Sequence, residues 1–153
     1  MEKILISACL VGDKVKYDGK SNYNPLVREL LQYYELVPVC PEVLGGLTTP
    51  RTPSERKGDI VIDKNGKDVT EYFIKGRDDV INIVEYLHIK KAILKENSPS
   101  CGVNSIYDGN FNHKYIKGSG ILTEKLKALG VKCYNEDEIK VLIDEKANID
   151  KEH

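Results

Sequence analysis

Ile4-Leu5-Ile6-Ser7-Ala8 is a continuous apolar run ending in small residues, the pattern of a strand buried on both faces. Asn24-Pro25 opens a helix, with Asn as the cap, Pro at the first helical position, and Leu26, Leu30 and Leu31 as its apolar stripe. Residues 35–39 predict a second strand, and Pro38 within it assigns that strand to a sheet edge or an early end. Residues 59–68, with Asn65-Gly66 near their centre, predict a small hairpin. Asp68-Val69-Thr70-Glu71 has the form of a capping box and starts a helical pattern reaching about His88, with Gly76 as its weakest position. Residues 91–95 predict the third core strand, and residues 119–129 a helix stopped by Gly130. Residues 131–134 predict the fourth strand. Asn135 then caps a final helix whose opening Glu136-Asp137-Glu138 complements the helix dipole. From Asn148 onward the tail is expected to fray.

Strands alternating with helices imply crossover connections and a parallel sheet. The expected fold is therefore α/β: a Rossmann-like three-layer arrangement with a mainly parallel sheet, helices on both faces and a hairpin insertion near 59–68. The chain has 153 residues, which favours one domain, over residues 1–147. Ligands in such folds bind outside the carboxyl ends of the strands. Composition narrows the partners. With 23 Lys and Arg against 24 Asp and Glu, and a net charge of −1, the electrostatic basis for sequence-independent nucleic-acid binding is missing. No apolar run reaches the ~20 residues of a membrane span, and the N-terminus turns polar too soon for a signal peptide. A cytoplasmic protein acting on a small molecule is expected.

Four cysteines, at positions 9, 40, 101 and 133, carry the most specific chemistry. No Cys-x-x-Cys pair is present, so zinc ribbons and thioredoxin-type motifs have no local support. A reducing compartment also disfavours structural disulfides. Cys9 follows the first strand, Cys40 ends the second and Cys101 lies in the loop after the third, so all three fall at one edge of the sheet. Cys133 is inside a strand and reads as a packing residue. Pro41 holds Cys40 extended, and a fixed backbone beside a thiol suits a ligand site better than a core. Two metal chemistries remain open on spacing alone. Zinc would require a fourth ligand, for which His113 and Glu42 are candidates. A cubane iron–sulfur cluster on three thiolates would leave one iron open to a substrate.

Ile6-Ser7-Ala8-Cys9-Leu10-Val11-Gly12 with Tyr17-Asp18-Gly19 resembles the opening signature of the thiouracil desulfidase family. Cys40-Pro41-Glu42, Gly45-Gly46-Leu47 and Pro50-Arg51-Thr52-Pro53-Ser54-Glu55 resemble its second signature, and Ser98-Pro99-Ser100-Cys101-Gly102 its third. The likeness extends from about Ile4 to Asp137 and also takes in Tyr107-Asp108-Gly109-Asn110-Phe111 and Gly118-Ser119-Gly120. It implies a [4Fe-4S] cluster on Cys9, Cys40 and Cys101, with the fourth iron free to take sulfur. The implied reaction is hydrolysis of 2-thiouracil to uracil and hydrogen sulfide, with Glu42 as the acid/base carboxylate and Ser98 as a second polar catalytic residue. The chain departs from the family at Lys16, where arginine is common, and in the loop over 110–117, which bears on pocket shape and substrate identity.

Several residues carry a plainer alternative. Glu42 could be a solvated loop acid, and Ser98, before a proline, an ordinary turn residue. Ser7 could donate to a cluster sulfur and tune the centre. Arg51 could pair with Glu55 or meet an anionic thiolate, though a loop clamp is the plainer reading. Ser100, Gly118, Ser119 and Gly120 are candidate pocket residues, the glycine-flanked serine opening a helix whose amides could cradle an anion. Thr123 breaks the dinucleotide fingerprint. His113 reads as a solvent-facing histidine. The competing functions are a non-enzymatic iron–sulfur or persulfide carrier or sensor, and a zinc-binding α/β protein.

Overall fold

The computed structural model describes residues 1–152. Four parallel strands form the central sheet: β1 (Glu2–Ser7), β2 (Tyr34–Val39), β5 (Lys91–Leu94) and β8 (Lys132–Asn135), in the spatial order β2-β1-β5-β8. Alternate residues of these strands feed different cores. Ile4, Ile6 and Ile93 join Val27, Leu30, Ile139, Leu142 and Ile143 on one face. Leu5, Ala92 and Leu94 join Val80, Val84, Leu122 and Leu126 on the other. The first face is covered by α1 (Leu26–Leu30) and α5 (Ile139–Glu152), and the second by α3 (Thr70–Leu87) and α4 (Ile121–Ala128). This is the three-layer α/β arrangement expected, with the proline-bearing β2 at a sheet edge, where a missing backbone donor is tolerated.

Local elements differ from expectation in instructive ways. The insertion is a hairpin of β3 (Ser54–Lys57) and β4 (Ile60–Asp63), turning at Gly58-Asp59. Asn65-Gly66 forms a second turn, closed by Asp63 N–H donating to Lys67 O. No capping box forms at residues 68–71: Asp68 Oδ1 accepts instead from Thr70 N–H. Asn135 does make one, accepting from Asp137 N–H while Glu138 accepts from Asn135 N–H. In α1 the buried pair is Val27 and Leu30, whereas Leu31 is 52% exposed. Helix α5 extends to Glu152. Two elements lacked a readable pattern: the single turn α2 (Pro41–Leu44), and the hairpin β6 (Ser105–Tyr107) with β7 (Tyr115–Lys117). The second strand of that hairpin occupies what reads as the loop 110–117.

Gly76, the apparent weak point of α3, is where α2 docks. A Cβ there would lie 1.8 Å from Pro41 O. The helix gives up some propensity so that the turn carrying Cys40 and Glu42 can pack directly on its backbone.

Candidate metal centre and active site

β1 and β5 are neighbours whose connections leave in opposite directions, the first toward the α1/α5 face and the second toward the α3/α4 face. Such a switch point opens a crevice at the carboxyl ends of the strands. A cavity of about 490 Å³ occupies it, and its lining includes Cys9, Cys40, Glu42, Ser98, Ser100 and Cys101. The sheet-edge argument therefore brings the three expected thiols and both expected catalytic side chains to one cavity. Cys133 is elsewhere, packed against the α3/α4 core with its thiol directed to Val131 O.

Each thiol is delivered by a different device. Cys9 lies in a 3-10 turn (Ala8–Val11) directly after β1, and Asn22 Nδ2 donates to its sulfur at 3.4 Å. Cys40 ends β2 in extended backbone, φ −124°, ahead of Pro41 as anticipated, and its sulfur faces the opening amides of α2. Cys101 is buried in the loop after β5, which Ser98 organises by accepting from Ser100 N–H at 3.2 Å and Cys101 N–H at 3.1 Å.

Burial raises the pKa of all three thiols. For Cys9 the Asn22 hydrogen bond opposes that rise and the nearby Cys40 adds to it. For Cys40 burial likewise leads, against the lowering effect of the Val43 amide. Cys101 is pushed up to about 12 by burial, with the Ser7 and Ser100 hydroxyls pulling the other way. Ser7 thus acts on the Cys101 thiol from the lining of the same cavity. It also accepts from Lys95 N–H. Among the described residues no three His, Cys, Asp or Glu side chains close around one ion position. The three thiols line one cavity.

Glu42 stands in the first turn of α2 and is neither solvated nor loosely held. Its Oε1 accepts from Arg51 Nε at 3.2 Å, and its Oε2 from Ser100 Oγ at 3.0 Å. The Arg51 side chain is 8% exposed. It also donates to Val15 O, Thr48 O and Thr49 Oγ1, so it is the loop clamp anticipated, but paired with Glu42. Glu55 is committed elsewhere, accepting from Gly109 and Phe111 N–H. A carboxylate can only accept and a hydroxyl has one proton. Ser100 therefore donates to Glu42, and Ser98, 3.0 Å away, donates to Ser100. The result is a directed chain, Ser98 to Ser100 to Glu42. Ser100 Oγ is also 3.6 Å from Cys101 Sγ and can turn to it only by releasing Glu42.

A family model described as 2-thiouracil desulfurase matches residues 4–138. The chain belongs to the 2-thiouracil desulfurase family. It is 36% identical over 150 residues to YbbK, an uncharacterized protein of Bacillus subtilis (strain 168), across 92% of this chain and 99% of that one. It is 37% identical to a solved structure described as the [4Fe-4S]-dependent thiouracil desulfidase TudS, with a TM-score of 0.87 and 100% of both chains covered. The family resemblance seen in the spaced motifs thus spans the whole fold.

Three expected pocket residues of this desulfurase-family chain lie outside the cavity lining. Gly118, Ser119 and Gly120 sit behind the Cys101 loop, where Gly120 N–H donates to Gly102 O and Ser119 Oγ to Val103 O. A Cβ on Gly120 would come within 2.3 Å of Ser100 C. This glycine allows backbone contact, and the α4 amides that follow are used by Pro99 O and Ser100 O, leaving no anion cradle. Ser100 does line the cavity. His113 is exposed at the cavity's rim. Two contributors escaped sequence reasoning. Asn22 has no local signal. Lys95 follows β5 at the carboxyl edge, the same placement that singled out Cys9, and its Nζ pairs with Glu136 Oε2 at 2.8 Å.

Proposed function

We propose that this chain holds a [4Fe-4S] cluster on Cys9, Cys40 and Cys101 and hydrolyses a thiolated pyrimidine, 2-thiouracil giving uracil and hydrogen sulfide. The observation that carries the reading is the meeting of three thiols, Cys101 buried and Cys9 and Cys40 half-buried, with a clamped carboxylate and its hydroxyl relay in one cavity at the switch point. The donor set fits the group: soft thiolates suit iron–sulfur clusters, and all three cysteines line the one cavity. Bound there, a cluster with one iron lacking a protein ligand supplies a Lewis acid for the thiocarbonyl sulfur.

The protein supplies the proton handling. Water brings one oxygen and two protons, the ring keeps the oxygen, and sulfur leaves as hydrogen sulfide. Glu42 Oε2 takes a proton from the attacking water and returns one to the departing sulfur or a ring nitrogen. Arg51 fixes the carboxylate's orientation throughout, and Ser100 with Ser98 refills Oε2 with a hydrogen-bond donor whenever it is ionised. Burial keeps the free thiols protonated, so loading the site releases protons. The reading places the protein in a reducing, cytoplasmic setting, where unpaired thiols persist. Among the described residues no helix is long and apolar enough to cross a membrane.

Anaerobic reconstitution with iron and sulfide tests the reading. Uptake of about four irons per chain, the content of a cubane cluster, with formation of uracil and sulfide from 2-thiouracil, is the expected outcome. Iron uptake without turnover on any thiolated pyrimidine would leave a carrier or sensor. Binding of one zinc with no iron uptake would make it a zinc protein.

A further inference from the structure

The β6–β7 hairpin is an arm with one working side. Tyr115, Ile116 and Lys117 of its outer strand are exposed, while Tyr107, Phe111 and Tyr115 also line the cavity. Tyr107 and Tyr115 are cross-strand partners with ring centroids 4.7 Å apart and hydroxyls 3.3 Å apart. Two phenols sharing one hydrogen bond use one of their two protons. Whichever oxygen donates, one O–H proton stays free for a ligand.

The arm is held in a costly conformation. Phe111 and His113 at its tip both have left-handed backbone, φ +54° and +60°, a region that side chains occupy only when their surroundings enforce it. Glu55 on β3 holds the arm at Phe111. The residue is 8% exposed, and its Oε1 accepts from Gly109 N–H at 3.1 Å and Phe111 N–H at 3.2 Å. An acid buried to bind two amides of a surface hairpin makes sense if the hairpin's position matters.

We propose that this arm reads the substrate ring. Tyr107 and Tyr115 supply an aromatic wall and one free phenolic proton for a planar heterocycle bearing a ring carbonyl, and Glu55 is the positioning residue that fixes the wall over the cavity. The inference rests on the desulfidase reading for the identity of the ring. Base–aromatic stacking is sequence-tolerant and driven by the shared planar face, so the wall discriminates ring from non-ring ligands. The phenolic proton favours a carbonyl at the position it reaches.

The test uses the reconstituted, iron-loaded protein, with two readouts: steady-state kinetics on 2-thiouracil and calorimetric binding of uracil, which needs no turnover. Tyr107→Leu and Tyr115→Leu are each expected to raise KM and weaken uracil binding about 10- to 100-fold, the size of a lost stacking contact, with kcat changed less than about threefold and iron content unchanged. Glu55→Ala is expected to raise KM in the same way. Glu55→Gln, which keeps the accepting oxygen, should restore most of the loss, and Glu55→Ala added to the Tyr107→Leu/Tyr115→Leu double variant should cost little more. A fully loaded Tyr107→Leu/Tyr115→Leu variant with wild-type KM and uracil affinity overturns the proposal while leaving the desulfidase reading intact. A loaded wild type that binds uracil through the tyrosines yet turns over no thiolated pyrimidine overturns the reaction and keeps the arm's role.

Discussion

Replacing Glu42 by Gln separates chemistry from architecture, because the structure bounds both effects. The carboxylate accepts one bond from Arg51 and one from Ser100, with side chains 15% and 8% exposed for Glu42 and Arg51. A hydrogen bond to a charged group is worth about 1.5–3 kcal/mol. The amide oxygen of Gln still accepts one of the two, and Arg51 keeps three other acceptors. The folding cost is then about 1–3 kcal/mol, against the ~5–15 kcal/mol typical of a domain, so the variant stays folded and should load iron normally. Lost general acid–base catalysis is expected to cost about 10²–10⁴-fold in rate, equivalent to roughly 3–5 kcal/mol of barrier. The assay is sulfide and uracil formation by anaerobically reconstituted protein, with iron content and thermal melting measured on the same preparation. A fully loaded Glu42→Gln enzyme turning over within about threefold of wild type would remove Glu42 from the mechanism. A single neutral hydrogen bond would make Ser98→Ala mild, but Ser98 accepts two amides and donates to Ser100. Its loss should cost both rate and roughly 1–3 kcal/mol of loop stability.

Cys133→Ser should load iron like wild type, whereas Cys9→Ser, Cys40→Ser or Cys101→Ser should fail to hold a full complement, measured as iron and sulfide per chain. Gly120→Ala should impair loading without touching a ligand, because its methyl would displace the backbone of Ser100 and Cys101; normal iron content in this variant would show that the loop yields. Glu96 should make the chain acid-sensitive. Burial acts to raise its pKa, but the Asn135 amide and the N–H groups of Asn104, Ser105 and Val103 outweigh it and hold the carboxyl below its ordinary value. That stability is present above the ordinary carboxylate pKa and is lost as pH falls through the folded value, so Glu96→Gln should lower the melting temperature at neutral pH and flatten its fall below about pH 4.5. Apo-protein should lose stability in alkali. Its unfolded Cys101 ionises near the usual thiol value while the folded thiol stays neutral to about 12, so by pH 10.5 this residue alone costs about 2 kcal/mol, and Cys101→Ser should remove that share while leaving the smaller ones from Cys9, Cys40 and Cys133.

The sheet and its cysteines were legible in the sequence because their signals are local. Apolar runs ended by small residues mark strands buried on both faces, and a thiol placed just after such a run must lie at the carboxyl edge whatever the strand order. Pro38 could announce an edge strand because its missing N–H is a property of the residue alone. Legibility ended where partners distant in sequence decide the outcome. The strand order β2-β1-β5-β8 creates the switch point, and only that order brings Cys9 beside the loop of Cys101. Arg51 chose Glu42 over Glu55 because the loop after α2 folds back onto that turn. Gly118, Ser119 and Gly120 looked like an anion cradle, yet their backbone is taken up by the loop they brace. The β6–β7 arm had no apolar rhythm, since it is built from hydrogen bonds to Glu55 and a tyrosine pair, with Ile106 alone of its strand residues buried. Hydrophobic periodicity determines which residues are inside. The site depends on which loops meet, and that is settled by backbone-to-backbone packing at Gly76 and Gly120, where the absence of a side chain leaves no pattern to read.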